Sequence, residues 1–177
     1  MMPTPFPQSF WMRDGILCAG SYPGDKIASV RDDKLRGLLD CGIQLVLTLM
    51  EASEKSWGGR PFEPYESRLR DFAVERGMAI ECIRLPIKDA SAPTRPTMKR
   101  ILDTIDASVE KQIPVYLHCW GGHGRTSTVA ACYLIRHSSS PQEAIAQVQQ
   151  WRAPLPKNHY PFEGDQERFV LTWDGDS

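Results

Sequence analysis

Residues 118–126 of this chain read HCWGGHGRT, a run whose residue types and spacing suit chemistry on a phosphate group. Cys119 stands near the start of the run and Arg125 near its end, and three of the five residues between them are glycine. Glycine permits tight turns that expose backbone N–H groups, and consecutive inward N–H groups form an anion-binding nest. The run therefore predicts a loop that binds an oxyanion directly above a cysteine sulfur.

The segments on either side of the run strengthen this prediction. Residues 114–118 predict a short buried strand before the loop, and residues 125–136 predict a largely apolar helix after it. The helix would direct the positive end of its dipole at the loop, and Arg125 could grip two phosphate oxygens with its planar guanidinium. Both features favour the thiolate form of Cys119. One loop could thus supply a nucleophile, a grip on the substrate and charge stabilisation in the transition state.

Cys-x5-Arg between a strand and a helix, preceded by His118 and followed by Thr126, resembles the signature of the cysteine-dependent protein tyrosine phosphatase superfamily. The small size of the chain is similar to that of the dual-specificity branch. The resemblance implies that Cys119 forms a cysteinyl-phosphate and that Arg125 binds phosphoryl oxygens. It also implies that Thr126 hydrogen-bonds to the sulfur, and that His118 orients the loop from behind and helps to keep the thiolate. The expected donors of backbone N–H groups to the substrate are Trp120, Gly121, Gly122, His123 and Gly124.

The same resemblance implies an aspartate on an upstream loop, which protonates the leaving oxygen and then activates the hydrolytic water. Asp89 lies in the loop 85–93, after a predicted strand, at a spacing from Cys119 similar to that of the family. We expect Asp89 to have this role. Asp71, Asp103 and Asp106 fall on predicted helices and are expected to be solvated carboxylates.

Several further residues have a functional and a simpler structural interpretation. Gln166 could position the hydrolytic water, as a late glutamine often does in tyrosine phosphatases, but a solvated helix start is the simpler interpretation. Tyr22 is expected to be a structural turn aromatic, and Trp120 is expected to pack the loop onto the core. His137 and His159 lack metal-ligand spacing and are expected to be surface or capping residues.

The remaining pattern indicates strands that alternate with helices. Strands are predicted within 11–19 and over 43–50, 79–85 and 114–118, and helices over 34–41, 66–76, 97–109, 125–136, 141–152 and 166–173. This order predicts an α/β fold: a single-domain sandwich with a central, largely parallel twisted sheet flanked by helices. Residues 1–10 are expected to be a short Pro-rich segment and residues 11–177 the catalytic domain.

Composition excludes several classes of protein. The 177 residues include 41% hydrophobic and 24% charged residues, with a formal net charge of -1, so no overall basic field attracts nucleic acid or an anionic membrane. The five cysteines form no Cys-x-x-Cys pair, which indicates reduced thiols and no zinc site. No signal peptide or run of about 20 apolar residues is visible. We therefore expect a cytoplasmic protein without a metal or cofactor and without nucleic-acid or membrane partners.

Three functions remain open at this point. The first is a phosphatase for phosphotyrosine in proteins, with or without activity on phosphoserine and phosphothreonine. The second is a phosphatase for a small molecule such as an inositol phosphate, or for a phospholipid. The third is a phosphate-binding module without turnover, which is disfavoured because Cys119, Arg125 and Asp89 are all present. In each case inorganic phosphate or another oxyanion should bind in the loop.

Overall fold

A single five-stranded sheet forms the centre of the protein, in a computed structural model that describes residues 2–175. The strands are β1 (Ser9–Arg13), β2 (Leu17–Gly20), β3 (Leu45–Thr48), β4 (Glu81–Arg84) and β5 (Val115–His118). Their order across the sheet is β1-β2-β5-β3-β4, in which only β1 pairs antiparallel with its neighbour. The predicted largely parallel sheet is confirmed.

Helices cover both faces of this sheet. They are α1 (Ala28–Asp40), α2 (Glu66–Glu75), α3 (Arg95–Glu110), α4 (Gly124–Arg136), α5 (Pro141–Arg152) and α6 (Gln166–Leu171). Because side chains alternate along a strand, Val115 and Leu117 of β5 pack with α3, α4, α5 and α6, whereas Tyr116 packs with α1 and α2. The two faces therefore have separate hydrophobic cores. Among residues 2–175, no helix combines the length and apolar character needed to cross a bilayer.

Helix α1 begins at Ala28, six residues before the predicted start. Its first turn carries no buried apolar residue, so the periodicity that marks a helix begins only at Leu35. The Asp25 carboxylate accepts a hydrogen bond from the Ile27 N–H at 3.1 Å, just before the first turn. The capping box predicted at α5 is present, with Ser140 and Glu143 each bonding the other's backbone.

The Pro-rich segment lies against the rest of the protein. Phe6 is buried in the core beside α1 and α2, and β1 begins at Ser9. The Trp11 indole donates to the Pro3 carbonyl at 3.0 Å. Gly37 of α1 meets this segment so closely that a Cβ there would lie 2.0 Å from the Pro5 carbonyl oxygen.

The sheet topology fixes where ligands can bind. β5 lies in the middle of the sheet, between β2 and β3, and residues 119–123, called the Cys119 loop from here on, follow its carboxyl end. In open α/β sheets ligands bind outside the carboxyl ends of the strands. Helix α4, which is buried over most of its length, then anchors the other end of the loop.

Candidate active site

Cys119 lies at the base of a cavity of about 300 Å³. Cys119 is only 3% exposed, and the Thr126 hydroxyl donates a hydrogen bond to the Cys119 sulfur over 3.0 Å. A hydroxyl that donates to sulfur stabilises negative charge there, so this contact favours a thiolate. The cavity is also lined by Asp89, Trp120, His123, Arg125 and Gln166, among others.

The backbone N–H groups of residues 120–126 belong to the loop and first helical turn that directly follow Cys119. Within the described part of the chain, none of these seven groups donates to a protein acceptor. Buried or half-buried N–H groups without a partner are costly, so their concentration here indicates that a ligand completes them. This arrangement matches the nest expected from the glycine-rich sequence.

Three carbonyl groups of the Cys119 loop are held from outside the cavity. His118 Nδ1 lies 2.9 Å from the Cys119 oxygen, and the Tyr22 N–H donates to the Trp120 oxygen at 2.8 Å. The Gly122 oxygen accepts from Arg152 Nη1, at the end of α5. In a trans peptide the C=O and the following N–H point in opposite directions. Each outward carbonyl therefore turns the next N–H of the loop inward.

His118 is fully buried and its hydrogen bonds define its tautomer. A carbonyl oxygen only accepts, so Nδ1 must donate to the Cys119 oxygen, and Nε2 then accepts from the Tyr65 hydroxyl, 2.6 Å away. Burial lowers the pKa of His118 to about 3, so the ring is neutral at ordinary pH. His118 thus orients the loop by hydrogen bonding and adds no positive charge beside the sulfur.

Arg125 is 2% exposed and is held mainly by Glu54. Its Nη1 and Nη2 donate to the two Glu54 carboxylate oxygens at 2.7 and 2.8 Å, and Nη1 also donates to the Ile87 carbonyl at 3.2 Å. Burial opposes the charge of Arg125, but the hydrogen bonds to Glu54 and the neighbouring negative charges leave its pKa raised. Glu54 was not predicted from the sequence, because it lies in a polar loop without a motif.

Asp89 also contacts this guanidinium. Its Oδ1 lies 2.8 Å from Arg125 Nη2, and its side chain is 46% exposed at the edge of the cavity. The structure therefore brings Asp89 to the loop as expected. By contrast, Asp103 and Asp106 lie among the contacts of Arg136 and line no part of this cavity.

Gln166 differs from the simpler expectation of a solvated helix start, because its side chain is fully buried. Its Oε1 accepts from the Glu163 N–H at 2.8 Å and its Nε2 donates to the Ser91 carbonyl at 3.2 Å. A Cβ on Gly124 would lie 2.5 Å from Gln166 Oε1, so the amide sits directly against the start of α4. Gln166 therefore connects the Asp89 loop to the cavity wall.

The mouth of the cavity is aromatic on one side and basic on the other. Trp57 is 91% exposed and contacts Trp120 edge to face, with ring centroids 5.2 Å apart. Lys157 and His159 also line the cavity, and the His159 ring lies 4.1 Å from the His123 ring. His159 was expected to be a surface or capping residue, and neither Trp57 nor Lys157 was singled out, because they belong to loops without a pattern.

Tyr22 has the structural position that was expected for it. Its ring packs against Phe62, Tyr65 and His118, behind the loop rather than in the cavity. Trp120 contacts Phe62 as well as Trp57, so it both packs the loop and lines the cavity. Among residues 2–175, no three His, Cys, Asp or Glu side chains lie close enough together to hold a metal ion.

Comparison with known proteins identifies the family. The sequence model of the family described as "Polymorphic toxin system, DSP-PTPase phosphatase" matches residues 19–139, more than half of the chain. The protein therefore belongs to this family of dual-specificity, cysteine-based phosphatases, as the resemblance of the Cys119 run predicted. The matched residues run from the end of β2 to just beyond α4 and hence include Glu54, Asp89 and the Cys119 loop.

Individual relatives agree with this assignment. Cyclin-dependent kinase inhibitor 3 of Sus scrofa is 31% identical over 141 residues, which cover 77% of this chain and 62% of that protein. The chain thus spans less than two thirds of the length of this relative. Among solved structures, Tk-PTP in the active form has a TM-score of 0.67 at 23% identity, over 96% of this chain and 97% of that one. PTPMT1 in complex with PI(5)P has a TM-score of 0.67 at 21% identity, over 91% of each chain. These structures show the same fold.

We expect stability to fall in acid because of His118. An unfolded histidine titrates near pH 6.5, whereas the pKa of His118 is about 3, so between these values the unfolded chain binds a proton that the folded chain does not. Stability should therefore decrease as pH falls through this range, by about 1.4 kcal/mol per pH unit for this histidine. His118→Gln should make the slope near pH 5 shallower by about this amount, as measured by urea unfolding between pH 4.5 and 6.5.

Val129→Ala is the matched control, since it also weakens the buried core near the site but titrates nothing. It should lower stability equally at every pH. An unchanged slope in His118→Gln would mean that the buried neutral ring is not a source of the acid sensitivity.

Proposed function

We propose that the protein hydrolyses phosphate monoesters through a cysteinyl-phosphate on Cys119, chiefly on phosphotyrosine-containing proteins. The observation that carries this proposal is the set of backbone N–H groups without protein acceptors, arranged above a buried sulfur that accepts from Thr126. Such a cradle stabilises the charge on the phosphoryl oxygens during transfer. Its donors are the backbone groups of Trp120, Gly121, Gly122, His123 and Gly124.

Arg125 is the side chain that would bind the phosphoryl group. A guanidinium has five N–H donors; those of Nη1 and Nη2 donate to Glu54 and the Ile87 carbonyl, and Nη2 also forms an ion pair with Asp89. Nε has no acceptor among residues 2–175, so a phosphate that binds Arg125 through two donors would use Nε and the Nη2 position where Asp89 now lies. Substrate would thus replace Asp89 on the guanidinium and free its carboxyl group.

The released Asp89 then serves both chemical steps. On leaving Arg125, Asp89 takes up a proton from solvent; in the first step the Cys119 sulfur bonds to phosphorus, the ester P–O bond breaks, and Asp89 donates this proton to the leaving oxygen. In the second, Asp89 takes a proton from water as the water oxygen bonds to phosphorus and the S–P bond breaks. Thr126 stabilises the departing thiolate through its hydroxyl, and His118 keeps the loop in register.

The aromatic mouth supports phosphotyrosine as the main substrate. Trp57 and Trp120 would flank a phenyl ring whose phosphate reaches the buried sulfur, since aromatic pairs favour edge-to-face contact. Phosphoserine and phosphothreonine have shorter side chains without a ring, so they would gain less binding energy from contact with Trp57 and Trp120.

A second candidate function is supported by the basic side of the mouth. The Lys157 backbone is fixed by Gln8, which bonds both its N–H and its carbonyl at 3.0 Å, and Lys157 lines the cavity. No ion pair of Lys157 is present among residues 2–175. A second anionic group on the substrate, as in an inositol phosphate or a phospholipid headgroup, could bind there.

Cys119→Ser is the direct test of the nucleophile. Turnover of p-nitrophenyl phosphate should fall at least about a thousandfold, because the covalent route is lost, while phosphate binding measured by calorimetry should persist. Cys132→Ala, which changes a buried thiol of α4 outside the cavity, should keep turnover. Substantial turnover by Cys119→Ser would refute the assignment.

Asp89→Asn should reveal an acid by its dependence on the leaving group. Phenyl phosphate has a poor leaving group and should be slowed by about a hundredfold or more, whereas p-nitrophenyl phosphate should lose about tenfold or less. Asp71→Asn, on the exposed side of α2, is the control and should slow neither ester. Equal losses on both esters in Asp89→Asn would show that Asp89 does not protonate the leaving oxygen.

A substrate panel separates the two candidate functions. With phosphotyrosine and phosphothreonine peptides, inositol phosphates and phosphoinositide vesicles, we expect the highest kcat/KM on the phosphotyrosine peptide. Trp57→Ala should reduce that value by about tenfold, in keeping with the loss of an aromatic contact. If an inositol phosphate or the vesicles are turned over fastest, and Lys157→Ala costs more than Trp57→Ala, the second function is the correct one.

A further inference from the structure

Arg152, the last residue of α5, is a buried cation without a carboxylate partner. Arg152 is 1% exposed, and it forms no ion pair within residues 2–175. Instead, Nη1 donates to the Gly122 carbonyl, while Nη2 contacts His123 Nδ1 and the Lys157 carbonyl, the latter at 3.3 Å. Two of these partners, His123 and Lys157, line the candidate active site, and Gly122 belongs to the Cys119 loop.

A buried charge that lacks a counter-ion is costly, so it needs a compensating interaction. Burial lowers the pKa of Arg152, and the negative charge of Cys119 opposes that shift. Burial and the charge of Arg152 in turn lower the pKa of His123 to about 4, so this ring is neutral and its Nδ1 accepts the hydrogen bond. The charge of Arg152 thus faces the site where an anion is expected.

The contact with Gly122 has a definite consequence for the loop backbone. Gly121, His123 and Gly124 line the cavity, but Gly122 and Arg152 do not, so the Gly122 carbonyl points away from the cavity. The His123 N–H belongs to the same trans peptide and points in the opposite direction, into the cavity. It has no protein acceptor among the described residues.

The loop sequence alone does not impose this orientation. Gly122 has a φ of 69°, and a residue without a Cβ also tolerates a wide range of ψ, so Gly122 itself does not fix the direction of its carbonyl. Something outside the loop must select one orientation. The Cys119 and Trp120 carbonyls are held by groups near β5 and β2, whereas the Gly122 carbonyl is held by Arg152.

We infer that Arg152 is a positioning residue, which holds the Gly122 carbonyl outward and thereby keeps the His123 N–H directed at the bound oxyanion. The inference rests on the proposed function of the Cys119 loop as a phosphate cradle. Arg152 does not touch the substrate and acts only through the peptide that it holds.

Oxyanion binding by Arg152 variants tests this role. In Arg152→Met, which keeps much of the side-chain volume but no donor, the Kd for phosphate should rise by at least about tenfold, as expected for one lost hydrogen bond to a charged group. Arg152→Lys keeps one charged donor, so its Kd for phosphate should lie between those of Arg152→Met and the wild type. Arg136→Met, which removes a mostly buried arginine at the end of α4, should bind phosphate like the wild type.

Phosphate titration followed by amide NMR separates this role from a purely structural one. A residue that only stabilises the fold would leave the phosphate-induced shift of the His123 amide unchanged. In the wild type, phosphate should shift the His123 amide resonance downfield, and in Arg152→Met this shift should be lost or strongly reduced. If Arg152→Met has a lower unfolding temperature but binds phosphate within about twofold of the wild type, the inference is overturned.

Two outcomes remain decisive even if Arg152→Met fails to fold. The inference fails if the His123 amide of the wild type does not respond to phosphate that is shown to bind, or if a folded Arg152→Leu, which also lacks a donor, binds as tightly as the wild type with an unchanged His123 shift. Failure of the wild type to bind any phosphate would instead contradict the proposed function itself.

Discussion

An oxyanion can bind above Cys119 only if the N–H groups around it are kept free of protein acceptors, and the rest of the site is arranged around that requirement. Free N–H groups in a partly buried loop are unfavourable on their own. The structure keeps them available by fixing the opposite ends of three of these peptides, since the Cys119, Trp120 and Gly122 carbonyls are bonded outside the cavity. The donors come from three separate parts of the fold: His118 Nδ1, the Tyr22 N–H and Arg152 Nη1.

Charge balance is the second requirement, and Glu54 meets it. Arg125 must be buried to lie beside the sulfur, and a lone buried guanidinium would be strongly destabilising. The Glu54 carboxylate, whose side chain is 6% exposed, neutralises it through two hydrogen bonds and fixes its plane. The remaining donors face the cavity, where Asp89 contacts one of them. Phosphate binding would therefore replace the Asp89 carboxylate with another anion. The number of anionic groups bound to Arg125 would stay the same.

The parts of the site that are contiguous in the sequence could be predicted from local patterns. The residues that reach the site from distant segments could not. The strand, loop and helix around Cys119 follow from glycine content and apolar periodicity, and Asp89 follows from a spacing that resembles the family. Glu54, Arg152 and Lys157 have no local signal, because each reaches the loop only through the folding of another segment. For Gln166 a solvated helix start was the simpler of two interpretations, because the contacts with Gly124 of α4, Glu163 and Ser91 that surround its buried side chain have no local signal.

The glycines of the loop also limit its freedom, although glycine is usually associated with flexibility. A Cβ on Gly122 would lie 2.5 Å from the Gly20 carbonyl carbon, and Gly20 itself is closely approached by the Tyr116 hydroxyl. The loop can pack this tightly against β2 because it lacks side chains, and the packing then restricts the motion that glycine would otherwise allow. Glycine thus makes the cradle possible, but close packing and the outward hydrogen bonds determine its shape. A chain with the same Cys-x5-Arg run but without a group in the place of Arg152 would keep the nucleophile and the guanidinium, and would lose control over the direction of one N–H group that the phosphate needs.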